Sequence, residues 1–248
     1  MMQTQMMTTT GVQIGALLPA WRAMGGSRPL AGLTVLVVED SRFASEAVRL
    51  LCLRSGARIR RADCLASARR HLATYRPAVV IVDMGLPDGD GASLIAELAA
   101  LAPHAPVILG VSGDPDRAQA AFAAGAQGFL AKPVESLAVF QQAILGALPP
   151  EARPLGLRAL PTEVVLPDIG ALRDDLAHVV ALLREEPLTD EIIFVARFVS
   201  GLARAARDHA LAITAEAVLA AEAGPNVSAA VLRLRDLVEE RLAELGRL

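Results

Sequence analysis

Between residues 33 and 148, short apolar runs rich in β-branched residues alternate with stretches whose apolar residues recur at helical spacing. No other feature restricts the fold as tightly, because strands alternating with helices close into a parallel sheet covered on both faces. The first run, Thr34–Val38, ends in Glu39-Asp40, and helical spacing follows over 43–53. A weak strand over Arg58–Ala62 precedes a helix over Leu65–Thr74. The run 78–82 ends at Asp83, and the loop 85–91 is dense in turn formers before a helix over 92–101. A fourth strand over 106–111 ends at Ser112, with a helix near 115–124 behind it. A short strand at 128–130 and a helix over 134–147 complete five strand–helix units.

Five prolines at 149, 150, 154, 161 and 167 then exclude a continuous helix and predict a semi-rigid linker over 149–167. Beyond it only helical patterns occur. Ile169, Leu172, Leu176, Val179 and Leu183 step by three and four behind Asp168 as N-cap, and Ile192 to Ala206 repeat the pattern. A third helix over 209–223, closed by Gly224-Pro225, and a fourth through Val231 and Leu245 predict an antiparallel four-helix bundle over 168–248. Residues 1–30, with five methionines and no clear periodicity, are expected to be a flexible extension. Residues 17–24 are the one candidate for a short docking helix.

No apolar run approaches the roughly 20 residues that span a bilayer, and the first ten residues carry no basic group of the kind that opens a signal peptide. These features predict a cytoplasmic protein without a membrane segment. Cys52 and Cys64 match neither a disulfide framework nor a metal-ligand spacing and are read as small core fillers.

The net charge of −3 argues against a sequence-independent grip on nucleic acid. Of 24 basic residues, 23 are arginine, and the single lysine is Lys132. A chain that uses arginine almost everywhere and keeps one lysine points to a position that needs a compact ammonium. Open α/β sheets bind ligands at strand C-termini, and Glu39, Asp40 and Asp83 would converge there. Clustered carboxylates repel unless a hard cation joins them, and Mg²⁺ suits such an open oxygen site.

The same landmarks resemble those of the response regulator receiver domain of two-component signalling. The resemblance covers about residues 33–147: the acidic pair Glu39-Asp40, Asp83 in Asp-Met-Gly-Leu-Pro-Asp-Gly-Asp-Gly, Ser112 after an apolar strand, and Gly125-Ala126 before Phe129-Leu-Ala-Lys132-Pro133. It implies a flavodoxin-like, doubly wound sheet of five parallel strands in the order 2-1-3-4-5, in a receiver domain over 31–148. Asp83 would accept a phosphoryl group from a histidine kinase or a histidine phosphotransfer protein. Glu39, Asp40, Asp83 and the Gly85 backbone carbonyl would hold Mg²⁺. Lys132 would contact the phosphoryl group, Ser112 would donate to one of its oxygens, and Phe129 would act as the switch. Asp88 and Asp90 are read as turn and helix-start residues. Gly113 stands where alanine is common in the family, and Gly85 offers no side chain to assist a hydrolytic water.

Residues 151–248 hold 11 arginines against 16 acids and show no basic recognition helix, so DNA output is not expected. A protein partner or a homodimer is the expected use of the helical half. The stretch from Val199 to Arg207, with His209 and Glu216, faintly resembles the phosphate-bearing helix of histidine phosphotransfer domains. Ser200, Ala203 and Arg204 occupy the positions of that family's histidine, lysine and glycine, so the bundle would be a degenerate relative. Two alternatives stand beside this reading. One is an active relay protein using a C-terminal histidine, for which His209 is the candidate while His178 is read as a surface or boundary residue; the other is a phosphohydrolase with an aspartate nucleophile.

Overall fold

The computed structural model describes residues 28–102, 105–154, 159–184, 188–221 and 227–247. Five strands, β1 (Thr34–Val38), β2 (Arg58–Ala62), β3 (Val79–Asp83), β4 (Val107–Ser112) and β5 (Gly128–Ala131), form one parallel sheet in the order 2-1-3-4-5. Alternate residues of each buried strand serve opposite faces, as the two-residue side-chain period requires. Val35, Val37, Val79 and Ile81 join Leu51, Phe140 and Ile144 from helices α1 (Arg42–Ser55) and α5 (Leu137–Ala147). Leu36, Val38, Val80 and Val82 instead meet Leu65, Leu94, Ile95 and Ala121 on the other face. Those come from α2 (Leu65–Thr74), α3 (Gly91–Ala99) and α4 (Arg117–Ala123).

Helix α1 begins at an N-cap, Ser41, whose hydroxyl accepts from Ala44 N at 3.0 Å, and ends at Gly56 with φ 83°. That left-handed conformation is cheap for glycine and closes the helix with bonds to Cys52 and Leu53 carbonyls. The expected start of the last helix of this half needs correction. Residues 134–136 are extended, and α5 begins at Leu137 behind the Ser136 cap. Val165 N donates to the Glu135 carbonyl at 2.9 Å and Leu137 N to the Glu163 carbonyl at 3.1 Å, so the proline-rich segment pairs with the residues before α5. Val165 and Ala152 are buried against the α1/α5 face. Ala152 and residues 163–165 of this stretch thus pack along the sheet domain. The loop after β3 also contains a two-residue antiparallel ladder, Gly85–Leu86 with Gly89–Asp90, that local patterning did not predict.

Four helices follow: α6 (Ile169–Arg184), α7 (Thr189–Ala206), α8 (His209–Ala220) and α9 (Val227–Leu245). Helix α6 packs on α7 and α9, and α8 packs on the same two. Their shared core includes Leu176, Val199, Leu211 and Leu234, and Phe43 from α1 is buried within it. Among the described residues no helix is long and apolar enough to cross a membrane. The expected 17–24 helix and the Gly224-Pro225 stop lie outside the described residues.

Candidate functional site

Parallel register sets Val38 beside Val82, Asp83 beside Val111, and Ser112 beside Ala131. Residues just past those positions therefore emerge on one edge of the sheet. Carboxylate oxygens of Glu39, Asp40 and Asp83 lie within 4.8 Å of one another. Lys132 Nζ donates to Asp83 Oδ2 at 2.6 Å and lies 2.7 Å from Glu39 Oε2. The other Asp83 oxygen, Oδ1, accepts from Gly85 N at 3.1 Å. Ser112 is buried at the end of β4, and its Oγ accepts from Asp114 N at 3.1 Å. All open onto one cleft of about 700 Å³.

Burial dominates the electrostatics here. It pushes Glu39 well above the usual carboxylate range, aided by repulsion from Asp83 and only partly offset by Lys132. Burial and then Asp83 raise Asp40 to about 7. For Lys132 burial acts in the opposite sense, but Asp83 and Glu39 outweigh it and hold the ammonium above its ordinary value. One cation thus faces three acids, which is too little charge to neutralise them. Asp40 Oδ2 is buried without a hydrogen-bond partner, an orphaned acceptor aimed into an all-oxygen cluster. That donor set fits a hard divalent cation such as Mg²⁺.

Close backbone approach adds residues that the motif reading did not single out. A Cβ at Gly91 would lie 2.0 Å from the Asp83 carbonyl oxygen, so only glycine lets α3 begin against the end of β3. A Cβ at Gly110 would meet Ala121 at 2.7 Å and the half-buried Phe129 ring at 3.1 Å. The absence of a side chain in β4 therefore creates the seat of Phe129. Asp88 accepts from Leu65 N and Ala66 N, both at 2.8 Å, and so caps α2 across the loop. Asp90 caps α3 through Ala92 N and pairs with Arg117 at 2.8 Å. The only local signal for these roles was the density of glycine and aspartate over 85–91.

The helical half also lines this cleft, through Arg197, Ser200 and Arg204 of α7. His178 and His209 are exposed and do not line it. Asp175 is buried on α6, yet its partners are at the N-terminal end of α1: the cap Ser41 Oγ at 2.8 Å, Arg42 N at 3.0 Å and Phe43 N at 3.0 Å. Nothing in the sequence distinguished this residue from its exposed neighbour Asp174.

Residues 35–144 match the family described as the response regulator receiver domain. The KDP operon transcriptional regulatory protein KdpE of Escherichia coli is 33% identical over 99 residues, which cover 40% of this chain and 44% of that protein. Response regulator protein FleR of Pseudomonas aeruginosa is 35% identical over 119 residues, covering 46% of this chain and 25% of that protein. The chain thus spans less than half the length of these two relatives. Among solved structures, the receiver domain of NtrX from Brucella abortus is 26% identical, with TM-score 0.40 over 44% of this chain and 97% of that one. The family match ends at residue 144, before α6 begins.

Proposed function

Since residues 35–144 are a response regulator receiver domain, we propose that the chain is a response regulator phosphorylated on Asp83 by a histidine kinase or phosphotransfer protein. The observation that carries this reading is the cluster itself: three carboxylates drawn together and a single buried lysine bridging two of them. In this reading one Asp83 oxygen attacks phosphorus as the P–N bond of the donor's phosphohistidine breaks. The bonding pair returns to the imidazole, and an acyl phosphate forms. Glu39, Asp40, Asp83 and the Gly85 carbonyl would hold Mg²⁺, which would neutralise charge on the phosphoryl oxygens when bound.

The chain's own residues do the rest. Lys132, now bonded to Asp83 Oδ2, shifts to a phosphoryl oxygen and stays protonated because acids surround it. Ser112 keeps its hydroxyl hydrogen free to donate to the same group, since Oγ acts only as acceptor toward Asp114 N. Its movement biases the loop after β4 and the Phe129 ring over Gly110.

The chain is further proposed to divide into an N-terminal extension (1–30), the receiver (31–148), a linker (149–167) and a helical output domain (168–248). The output domain would act through protein contacts or dimerisation, which its excess of acids over arginines supports against DNA. The likeness of α7 to a phosphotransfer helix rests on sequence alone, and Ser200 offers no imidazole.

Incubation with acetyl phosphate and Mg²⁺ tests the core of this reading. Wild type should gain one hydroxylamine-labile phosphate and Asp83→Asn none; equal labelling of the variant would overturn it.

A further inference from the structure

Strand β2 ends the sheet on one side, and among the described residues only β1 pairs with it. Arg58 N donates to the Leu33 carbonyl at 2.8 Å, and the Ala62 carbonyl accepts from Glu39 N at 2.9 Å. Successive residues of a parallel strand bond to opposite sides. Arg58, Arg60 and Ala62 therefore serve β1, while the peptide groups of Ile59 and Arg61 turn outward. The side chains around this edge are cationic. Arg58, Arg60 and Arg61 are exposed, and their guanidiniums reach only neutral carbonyl oxygens, those of Gly32, Ile59 and Asp40. Arg28 stands at the turn into the strand, where a Cβ on Gly56 would lie 2.9 Å from the Arg28 Cβ. Arg70 comes from α2, which packs on β2, and Arg76 from the loop after α2; both are exposed. None of these arginines forms an ion pair with a described residue. Every other arginine or lysine between 31 and 148 does.

We propose that β2 is a docking edge for an extended acidic segment of a partner protein, which adds to the sheet as a further strand. Two independent observations meet here. An open strand edge pairs with an extended peptide backbone, and neither nucleic acid nor a lipid surface supplies that ladder. Unpaired guanidiniums beside the edge select carboxylates, which they hold through paired hydrogen bonds. Arg58 and Arg60 share the sheet face of Ala62, which packs with Leu65 and Ala68 of α2. They are about 6.6 Å apart along the strand, so carboxylates at alternate positions of the incoming segment meet them in turn. Ile59 lies between them on the opposite face, packed against the α1/α5 core, and suits a β-branched neighbour there. The segment that fits is therefore one in which acidic and β-branched residues alternate. Residues 1–27 of this chain contain no aspartate or glutamate, so charge does not match them to the edge. Arginines on an edge also discourage self-pairing. Arg28, Arg70 and Arg76 lie outside the strand and are not explained by that role.

Fluorescence anisotropy of a labelled peptide of alternating glutamate and threonine, titrated with the full chain, tests the docking edge. Wild type should bind it, and more weakly as salt rises. Arg58→Glu combined with Arg60→Glu should weaken binding about tenfold or more. The thermal melt of that variant should stay near wild type, because both side chains are exposed and make no ion pair. The same peptide methylated at its amide nitrogens keeps its charge but cannot complete the ladder, and should also bind about tenfold more weakly. A lysine–threonine peptide should not bind. Absence of binding by wild type, or equal binding by the double variant, overturns the docking edge. Equal binding of the methylated peptide or of oligothymidylate overturns strand addition and leaves a general anion surface.

Discussion

The receiver and the helical half bury their charges on different terms. In the receiver, Glu39, Asp83 and Lys132 are buried together, and the acids outnumber the cation. Among the described helical residues the buried carboxylate is Asp175, and its three donors all come from the receiver. A buried charge with too few partners costs stability and marks a place that changes state. A buried charge satisfied by another domain's helix N-terminus marks an interface. Charge burial alone therefore does not locate a site; the origin of the partners does.

The comparison breaks first at the cores. Ile81→Ala, at a fully buried sheet position, should cost about 2–5 kcal/mol. It should also reduce acetyl phosphate labelling, because β3 carries Asp83. Leu234→Ala should cost a similar about 2–5 kcal/mol but leave the labelling rate at least as high as wild type. Chemical denaturation with labelling of the same samples checks both, and a labelling loss in Leu234→Ala would make the halves one unit.

Lys132→Arg keeps the charge but places a planar guanidinium in a slot where the lysine side chain is only 8% exposed. Asp83 should still be labelled, but the Phe129 ring should no longer respond to beryllofluoride with Mg²⁺ when followed by NMR. A normal response would show that any cation suffices.

Adjacent acids give the next contrast. Asp175→Ala removes the acceptor of two helix-start amides and should cost about 1–2 kcal/mol. Asp174→Ala breaks a pair with Arg42 in which both side chains are more than half exposed, and should cost under about 0.5 kcal/mol. Equal costs by denaturant titration would remove the interface argument.

The smallest expected effect is a difference in the sign of pH dependence. In Mg²⁺-free buffer Glu39 and Asp40 have raised folded values, so they bind more protons folded than unfolded. Receiver stability should therefore increase as pH falls through about 7 toward the ordinary carboxylate range. Asp208 behaves oppositely. Burial would raise it, but the Leu211 amide and the Arg241 guanidinium hold it below its ordinary value. Its contribution is present above that value and is lost on further acidification. Thermal melts from pH 7.5 to 3.5 should separate the trends; parallel shifts in both halves would contradict the assignment.

Three strands, β1, β3 and β4, were legible as short β-branched runs with their own ending residues, while β2 and β5 were read mainly from their place in the alternation. Those endings placed Glu39, Asp40, Asp83, Ser112 and Lys132 on a common edge once the sheet order was known. Gly91 was less legible, since its need for hydrogen in place of a side chain depends on the Asp83 carbonyl 2.0 Å from the would-be Cβ. The start of α5 was misplaced because residues 134–136 are claimed by a pairing with 163–165 that no local window contains.

Periodicity and residue type, both local, determined most of the elements, the strand ends that carry the acids and the single lysine among the cations. Tertiary structure decided what lies over that edge. Asp175 and Ser41 are 134 residues apart in the chain, and helical spacing shows only that Asp175 is on α6. Its burial, its service to the start of α1 and the share of α7 in the cleft that holds Asp83 arise from packing two separate cores together. Packing of that kind depends on contacts distant in sequence, which no local pattern encodes.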